Sequence, residues 1–534
     1  MAINLNAQPE EIFKKRTEFG IDQSIHLLTK IIDTSNDKNK RMDAVKYLGL
    51  ASKEAPNLKQ ECFDTLENIF ISEENKDIKC EAAKALGRLK LTKSLKPLLW
   101  GLENSTDDSQ LRLAVLKAIR KTKFKEEVIN LFIKELDSSH KKITAYVKDQ
   151  LLVLNPELLV NKLIGSLGNK NLSNKVKVEI IKLIGYEISS LNATFKDSSY
   201  IKIKYPEIIS NLINQKEVLL AEISQILKKE DRILLESSIT ILNFLKEEIK
   251  EDIIKLLLTD NFIVKKNAII ISGKLELTEA VDVLVQNLDS LYNEVSLASI
   301  EALGEIGEVS SVPELLDILN IEDISFEYSD IDMKFQIMDA VKKIYLKHEK
   351  NSYDTLYDYL NMQNDTIRES VAFILGEIGK DEFVAHLIKL LNIRNVDVKK
   401  NVIIALGKIG HLDALDHLVE VIQNKKAYWL IKKVTTDALF NIFQQNWYKF
   451  DSDDKELNRS LNKKIATIIE YLREEEKENY KVKLGLIKLL ETFGDERALD
   501  ALLKRVNDFH RVVRIHASNA IKKIEERLEL LNSD

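Results

Sequence analysis

The chain has 534 residues, with 79 basic and 85 acidic side chains and a net charge of −6. Charges of both signs are dispersed along it, which argues against a dedicated DNA-binding protein, because such proteins gather basic residues on one face. Only 16 glycines and 6 prolines occur, so few residues interrupt helices and the composition predicts an almost wholly helical protein.

The ends and the apolar content of the chain bear on its location. No stretch approaches the roughly 18 apolar residues that a membrane-spanning helix needs, and the first residues lack the regions of a secretion signal. We therefore expect a soluble, cytoplasmic protein, and the abundance of Lys, Ile and Asn favours a prokaryotic source. Cys62 and Cys80 cannot build a disulfide framework, so both are expected to be reduced and at least half-buried.

A short motif recurs along the chain. After an N-terminal stretch at 9–19 that is expected to cap one end, Ala-Leu-Gly-Arg-Leu stands at 85–89. Fuller copies read Ala-Leu-Gly-Glu-Ile-Gly at 302–307, Ile-Leu-Gly-Glu-Ile-Gly at 374–379 and Ala-Leu-Gly-Lys-Ile-Gly at 405–410. The last two copies are 31 residues apart. A fixed period of this length predicts a stack of similar helical units rather than one globular core.

One repeat shows how the pattern works. Residues 397–410 are expected to form a first helix with an apolar stripe, Asp397 as N-cap and Gly410 as a left-handed C-cap. A second helix follows over 412–422. Neither helix can bury its stripe alone, so the pairs must stack. The glycines Gly304 and Gly307 are interpreted through helix-end geometry.

These residues resemble the HEAT-repeat family, in particular the short prokaryotic, PBS-lyase-like repeats. The resemblance is specific over 261–320 and 364–423, and recognisable over 76–103, 107–138 and 478–531. It implies an all-α solenoid, a right-handed superhelix of antiparallel helix pairs with about 14 repeats. One elongated domain over 1–534 is expected, with one helix of each pair on the convex face and the other on the concave face.

The rhythm of the repeats breaks in three places, which are possible sub-boundaries. A long connection is expected at 191–206, an acidic loop at 320–332, and an enlarged aromatic unit at 425–456. Inserted loops in solenoids often carry binding, because the regular units need only stack. Residues 509–534 are expected to form a C-terminal capping helix.

Signals of enzymatic chemistry are weak. The pairs His411 and His417, and His510 and His516, are each six residues apart, whereas two metal ligands on one helical face need a spacing of three or four. No glycine-rich nucleotide-binding motif and no nucleophile elbow occur. We therefore expect no catalytic residue, cofactor or metal ion.

Three surface features stand above the background, and each also has a purely structural interpretation. The first is an acidic loop, interpreted as a dock for a basic partner, as a loose cation site or as a solvated loop: Glu322, Asp323, Glu327, Asp330 and Asp332. The second is a basic turn, read either as a dock for an acidic protein or nucleic acid or as helix-end charge complementation: Lys117, Arg120, Lys121, Lys123 and Lys125.

The third feature joins aromatic and basic residues. Such a mixture is enriched in protein-binding hot spots and in single-strand stacking surfaces, although Trp429 also fits a buried helix stripe. Its members are Tyr428, Trp429, Lys432, Lys433, Trp447 and Tyr448.

The leading functional prediction is a non-catalytic scaffold or adaptor that binds protein partners along its concave face, as a subunit or regulator of a larger complex. One alternative is nucleic-acid binding through the basic turn and the aromatic residues. Another is a bilin-lyase-like or other HEAT-type enzyme, because some relatives of this repeat type carry such activities. No membrane partner is expected.

Overall fold

The computed structural model describes residues 7–105, 108–122, 126–195, 198–320, 328–347, 352–449 and 455–533. Within these ranges every regular element is helical, as the composition predicts. The chain divides into two compact units, Met1–Ile249 and Lys250–Asp534. The single elongated domain over 1–534 stays a prediction.

The first unit consists of short and medium-length helices joined by tight connections. In chain order they are α1 (Pro9–Lys14), α2 (Arg16–Phe19), α3 (Ile21–Thr34), α4 (Lys38–Ala51), α5 (Lys59–Ser72), α6 (Lys76–Leu89), α7 (Leu95–Glu103), α8 (Ser109–Lys121), α9 (Glu126–Glu135), α10 (Lys141–Leu152), α11 (Pro156–Leu167), α12 (Asn174–Phe195), α13 (Ser198–Lys204), α14 (Pro206–Asn214), α15 (Lys216–Ile226) and α16 (Arg232–Leu242).

Over residues 262–445, the second unit alternates a longer and a shorter helix. After α17 (Lys246–Leu257), its helices are α18 (Phe262–Lys274), α19 (Val281–Gln286), α20 (Asn293–Ile306), α21 (Val312–Asp317), α22 (Tyr328–Lys347), α23 (Asp354–Asn361), α24 (Asp365–Ile378), α25 (Val384–Lys389), α26 (Val396–Ile409), α27 (Ala414–Gln423), α28 (Trp429–Gln445), α29 (Lys455–Glu474), α30 (Tyr480–Phe493), α31 (Ala498–Arg505) and α32 (Arg511–Ser533).

The helices form pairs, and the pairs stack. We call the motif-bearing helix of each pair its first helix and the following one its second helix. In the second unit the first helices α18, α20, α22, α24, α26, α28, α30 and α32 pack side by side in chain order. In the first unit α4, α6 and α8 do the same, and α12 packs on α16. The predicted all-α architecture of stacked helix pairs is confirmed.

Asparagine side chains start several first helices. Asn395 Oδ1 accepts hydrogen bonds from the amides of Asp397 and Val398 at 2.9 and 3.0 Å, and Asn75 and Asn364 cap α6 and α24 in the same way. The expectation that Asp397 is the N-cap was therefore wrong, because α26 begins one residue before it. The expected C-cap is confirmed, since Gly410 has a φ of 79° in the left-handed region.

The motif glycine lets neighbouring first helices approach closely. A Cβ on Gly376 would lie 2.7 Å from the Cα of Ala405, and one on Gly407 would lie 2.6 Å from the Cα of Ala438. Gly304 likewise meets Ala340 of the next first helix, so helix-end geometry accounts for Gly307 but not for Gly304. The glycine of one repeat thus packs against an alanine of the next, and any side chain would force the helices apart.

The three predicted breaks in the repeat rhythm can be described in part. Most of 191–206 is helical, since α12 reaches Phe195, α13 covers Ser198–Lys204 and α14 begins at Pro206; residues 196 and 197 lie outside the described residues. Of the acidic segment, 321–327 lie outside the described residues and 328–332 begin α22. The segment 425–456 contains α28 and a 3-10 turn at Trp447–Lys449.

Both segments expected to cap the stack contain helices. Near the N-terminus α1 packs on α3 and α4, and α32 covers 511–533. Their role as caps stays a prediction.

Two further expectations can be compared with the structure. No helix in the described ranges combines the length and the apolarity that a bilayer span requires. Cys62 and Cys80 are free and buried, as predicted, and burial raises the pKa of both thiols to about 11. Both therefore stay protonated at neutral pH, which keeps them poorly nucleophilic.

The close glycine contact makes a test possible. We expect Gly376→Ala to lower the free energy of unfolding by about 1–3 kcal/mol, because the added methyl group overpacks the contact with Ala405. Gly165→Ala in α11 is the matched control, since nothing lies within 4 Å of its added Cβ. The free energy of unfolding of the control variant should rise by about 1 kcal/mol, because alanine has a higher helix propensity than glycine. Urea denaturation followed by circular dichroism measures both, and equal stabilisation by the two substitutions would contradict the packing argument.

Candidate functional site

The acidic loop can be placed only in part. Glu322, Asp323 and Glu327 lie outside the described residues. Asp330 and Asp332 belong to the first turns of α22. The role of these five residues as a dock stays a prediction.

Three residues of the basic turn, Lys117, Arg120 and Lys121, belong to α8 in the first unit. Arg120 donates from Nε to Gln150 Oε1 at 3.0 Å, and Lys117 Nζ lies 5.6 Å from the ring centre of Tyr146. Lys121 is exposed at the end of the helix. Burial lowers its pKa, and the nearby cations Arg88 and Lys53 lower it further. Lys123 and Lys125 lie outside the described residues.

The aromatic and basic residues lie at the two ends of α28. Tyr428 immediately precedes the helix and is 52% exposed, whereas Trp429 opens the helix and is half-buried. The ammonium of Lys481, from α30, lies 5.0 Å from the centre of the Trp429 ring, within the range of a cation–π contact. This end of α28 therefore presents one exposed phenol and one indole covered by a lysine.

Lys432 does not lie on the surface, contrary to expectation. Its side chain is only 4% exposed, and Nζ donates to Glu478 Oε2 and to Tyr471 Oη, both at 2.7 Å. Tyr471 also donates to Glu478. Burial raises the pKa of Glu478, but the hydrogen bonds from Lys432 and Tyr471 outweigh that effect, so its pKa is lowered below 4.5. This buried trio fixes α28 against α29 and against the connection that leads into α30.

A second buried ion pair holds the next helices. Lys483 in α30 donates to Asp508 Oδ2 at 2.7 Å, and both side chains are almost fully buried. Arg505 lies 3.6 Å from the same carboxylate. Breaking such a pair leaves an uncompensated buried charge, so the pair fixes where α30 lies relative to α32.

A groove runs across the exposed side of three consecutive first helices, α28, α30 and α32. It has a volume of about 710 Å³. Its polar and charged lining residues include Lys433, Lys481, Lys488, His516, Asn519 and Lys522.

The charges in the groove are only partly balanced. Lys433 is paired with Asp437, Lys523 with Glu491, and Lys522 lies 3.6 Å from Glu526. Among the described residues, Lys481 and Lys488 form no ion pair, and each lies over an aromatic ring instead. Two ammonium groups of the groove thus remain available to an acceptor from outside.

A substitution in the repeat motif accompanies this groove. The Ala-Leu-Gly of α26 becomes Ala438-Leu439-Phe440 in α28, so a ring stands in the place of the glycine. Phe440 contacts Phe493 of α30 with ring centres 5.6 Å apart. A glycine still allows a close approach of the two helices, because a Cβ on Gly485 of α30 would lie 2.7 Å from Thr436 Cβ of α28. The close contact between α28 and α30 is thus made by Gly485 rather than by a glycine at the motif position of α28.

Trp447 and Tyr448 lie at the far end of α28. They are 61% and 59% exposed on the 3-10 turn that follows the helix. A helix of this length separates its ends by about 25 Å. The predicted aromatic cluster is therefore two separate surfaces rather than one.

The sequence analysis missed the groove residues that α30 and α32 supply. Lys481 and Lys488 are seven residues apart, a spacing that places two side chains on one face of a helix. That spacing was the available signal, but nothing local connects these residues with Trp429. Within the described part of the chain, no group of three or more His, Cys, Asp or Glu side chains is arranged to hold a metal ion.

Comparison with known proteins identifies the repeats. Residues 353–439 match the family model of HEAT repeats. No curated protein matches the chain.

Solved structures of low sequence identity resemble the whole chain. Importin beta is 12% identical, covering 98% of this chain and 78% of its own, with a TM-score of 0.43. Yeast importin-beta (Kap95p) is 11% identical, covering 96% and 85%, with a TM-score of 0.36. Kap121p bound to RanGTP is 12% identical, covering 96% and 54%, with a TM-score of 0.38. Likenesses of this degree carry no argument about function.

The buried trio at Lys432 makes a pH-dependent test possible. Lys432→Met should lower the free energy of unfolding by about 3–5 kcal/mol at neutral pH, because it leaves the Glu478 carboxylate buried and unpaired. The lowered pKa of Glu478 means that the pair stabilises the fold above pH 4.5 and is lost as pH falls through the folded-state value. The penalty should therefore shrink below pH 4.5, as thermal unfolding at several pH values will measure.

The double variant Lys432→Met/Glu478→Leu serves as the control. Removal of both charges should restore most of the lost stability at neutral pH, because no unpaired charge remains. A single variant as stable as the wild type at neutral pH would show that the ion pair does not hold α28.

Proposed function

We propose that this HEAT-repeat protein is a non-catalytic scaffold that binds a protein partner across the groove formed by α28, α30 and α32. The observation that supports this proposal is the presence of two unpaired lysines, each lying over an aromatic ring, in one groove spanning three successive helices. A cytoplasmic location and a role as a subunit or regulator of a larger complex belong to the same proposal.

The chemistry of the groove favours a folded or helical protein partner. Lys481 and Lys488 offer ammonium groups to carboxylates, and each is supported by an aromatic ring at the edge of the groove, Trp429 or Phe440. Aromatic residues that combine apolar area with adjacent charge are typical of protein-binding hot spots. The buried pairs at Lys432 and Lys483 hold the three helices in place, so little side-chain or backbone ordering is needed on binding.

Other predicted contacts extend this surface. Trp447 and Tyr448 are exposed at the far end of α28, where a large partner would reach them. The acidic residues of 320–332 remain candidates for a basic region of the same or another partner. An enzymatic role of the bilin-lyase type has no support from the groove.

The tryptophans provide a direct test. The tagged protein and its variants are used to capture partners from the native lysate at low and at moderate salt. Quantitative mass spectrometry then compares the amount of each partner captured by the wild type and by each variant. Trp429→Ala and Lys481→Glu should each reduce the main protein partner by at least about tenfold, because both residues belong to the proposed hot spot. Trp100→Ala is the matched control, since this tryptophan is 42% exposed and lies in α7 of the other unit.

The outcomes of this comparison are distinct. Retention of the partner by both folded groove variants would reject the groove as the binding surface. Loss with Trp100→Ala alone would move the site to the first unit. Circular dichroism of each variant confirms that a loss does not come from unfolding.

A second candidate function is nucleic-acid binding, which one observation favours. Lys53, Arg88 and Lys121 come from three neighbouring first-helix ends, and the mutual repulsion contributes to the lowered pKa of Lys121. Such a cluster of cations suits a phosphate backbone. Arg88→Glu/Lys121→Glu should abolish retention on heparin and the binding of single-stranded DNA, and wild-type binding should weaken steeply with salt. Absence of wild-type binding at low salt would exclude this function.

A further inference from the structure

A second cavity lies in the second unit and shares no lining residue with the groove. It has a volume of about 580 Å³. Its walls come from the end of α25, the start of α26, the middle of α27, and the connection at 424–428 that leads into α28. We call this cavity the basic pocket.

Four cations surround the basic pocket, and a single carboxylate accompanies them. The cations are Lys389, Arg394, Lys399 and Lys426. The only acidic lining residue is Glu420, whose carboxylate lies 3.7 Å from His417 Nδ1.

The four cations lack ion-pair partners in the described part of the chain, whereas their sequence neighbours are paired. Lys400 lies 3.1 Å from Asp397, and Lys425 lies 2.8 Å from Glu475. Lys399 and Lys426, one residue away from each, point instead to the pocket lining. Carboxylates thus neutralise Lys400 and Lys425 outside the pocket, whereas Lys399 and Lys426, which line it, have no ion-pair partner in the described part of the chain.

The remaining lining is apolar and amide in character. Ile388, Leu391 and Val421 contribute aliphatic surface, and the half-exposed Tyr428 ring stands at the edge. The connection that carries Lys426 is ordered, because Asn424 Oδ1 accepts from the Lys426 amide at 3.0 Å. A lining that combines aliphatic side chains with four cations fits a ligand that carries one apolar group between negative charges.

We propose that the basic pocket binds an acidic peptide segment in which an apolar side chain is flanked by Asp or Glu residues. The apolar side chain enters the pocket, and its flanking carboxylates meet Lys389, Arg394, Lys399 and Lys426. A peptide fits better than a nucleic acid, because Tyr428 is the only Phe, Tyr or Trp residue that lines the pocket and the chain as a whole is acidic. The basic pocket is separate from the groove, so an experiment that rejects one of the two binding sites leaves the other unaffected.

The probe for this site is a short fluorescein-labelled peptide with one Phe flanked on both sides by Glu, titrated with the full-length protein and followed by fluorescence anisotropy. Lys399→Glu/Lys426→Glu should weaken its binding by about tenfold or more. Lys400→Glu/Lys425→Glu is the matched control, because it makes the same charge change one residue outside the pocket. The control should bind within about twofold of the wild type at physiological salt, where screening is strong.

Comparison ligands show which chemical features of the peptide the basic pocket recognises. A peptide with Lys in place of Glu, and one with Ala in place of Phe, should each bind at least about tenfold more weakly. Inorganic phosphate should not displace the acidic peptide at equal concentration. The proposal is overturned if the wild type does not bind the peptide, if both double variants lose it equally, or if phosphate or a single-stranded oligonucleotide competes equally well.

Discussion

The close contact between a glycine of one first helix and an alanine of the next is the constraint on which this structure depends. At Gly376 and Ala405, or Gly407 and Ala438, the backbones approach so closely that no side chain fits between them. Because each repeat buries its stripe only against its neighbours, this contact sets the register and spacing of the stack. The recurrence of Ala-Leu-Gly therefore records a packing requirement rather than a chemical one.

The groove lies where the repeat motif departs from its pattern. Phe440 stands in place of the motif glycine in α28, and Gly485 of α30 makes the close contact with Thr436 instead. Buried ion pairs at Lys432 and Lys483 also position these helices. Because an unpaired buried charge is costly, such pairs tolerate little displacement. The surface near α28 thus has a rigid support, as a preformed binding surface requires.

Features that are set within one repeat could be predicted from the sequence, whereas contacts between residues far apart in the chain could not. The helix pairs, the C-caps and the burial of both cysteines followed from spacing and composition, because each is set within about one repeat. The pairing of Lys432 with Glu478 joins a helix to a connection 46 residues further along the chain, and no local pattern distinguishes that lysine from the neighbouring Lys433. The N-cap was misplaced by two residues because α26 begins at Val396, so that Asn395 Oδ1 accepts from the first free amides, including that of Asp397 itself.

Lysine footprinting of the full-length protein, with and without its captured partner, tests the central proposal most directly. Acetylation rates of Lys481, Lys488 and Lys522 report on the groove, and those of Lys96 and Lys142 in the first unit serve as references. The account predicts that the partner slows modification of the three groove lysines and leaves the references unchanged. A partner that protects other lysines while these three react at their free rates would contradict it.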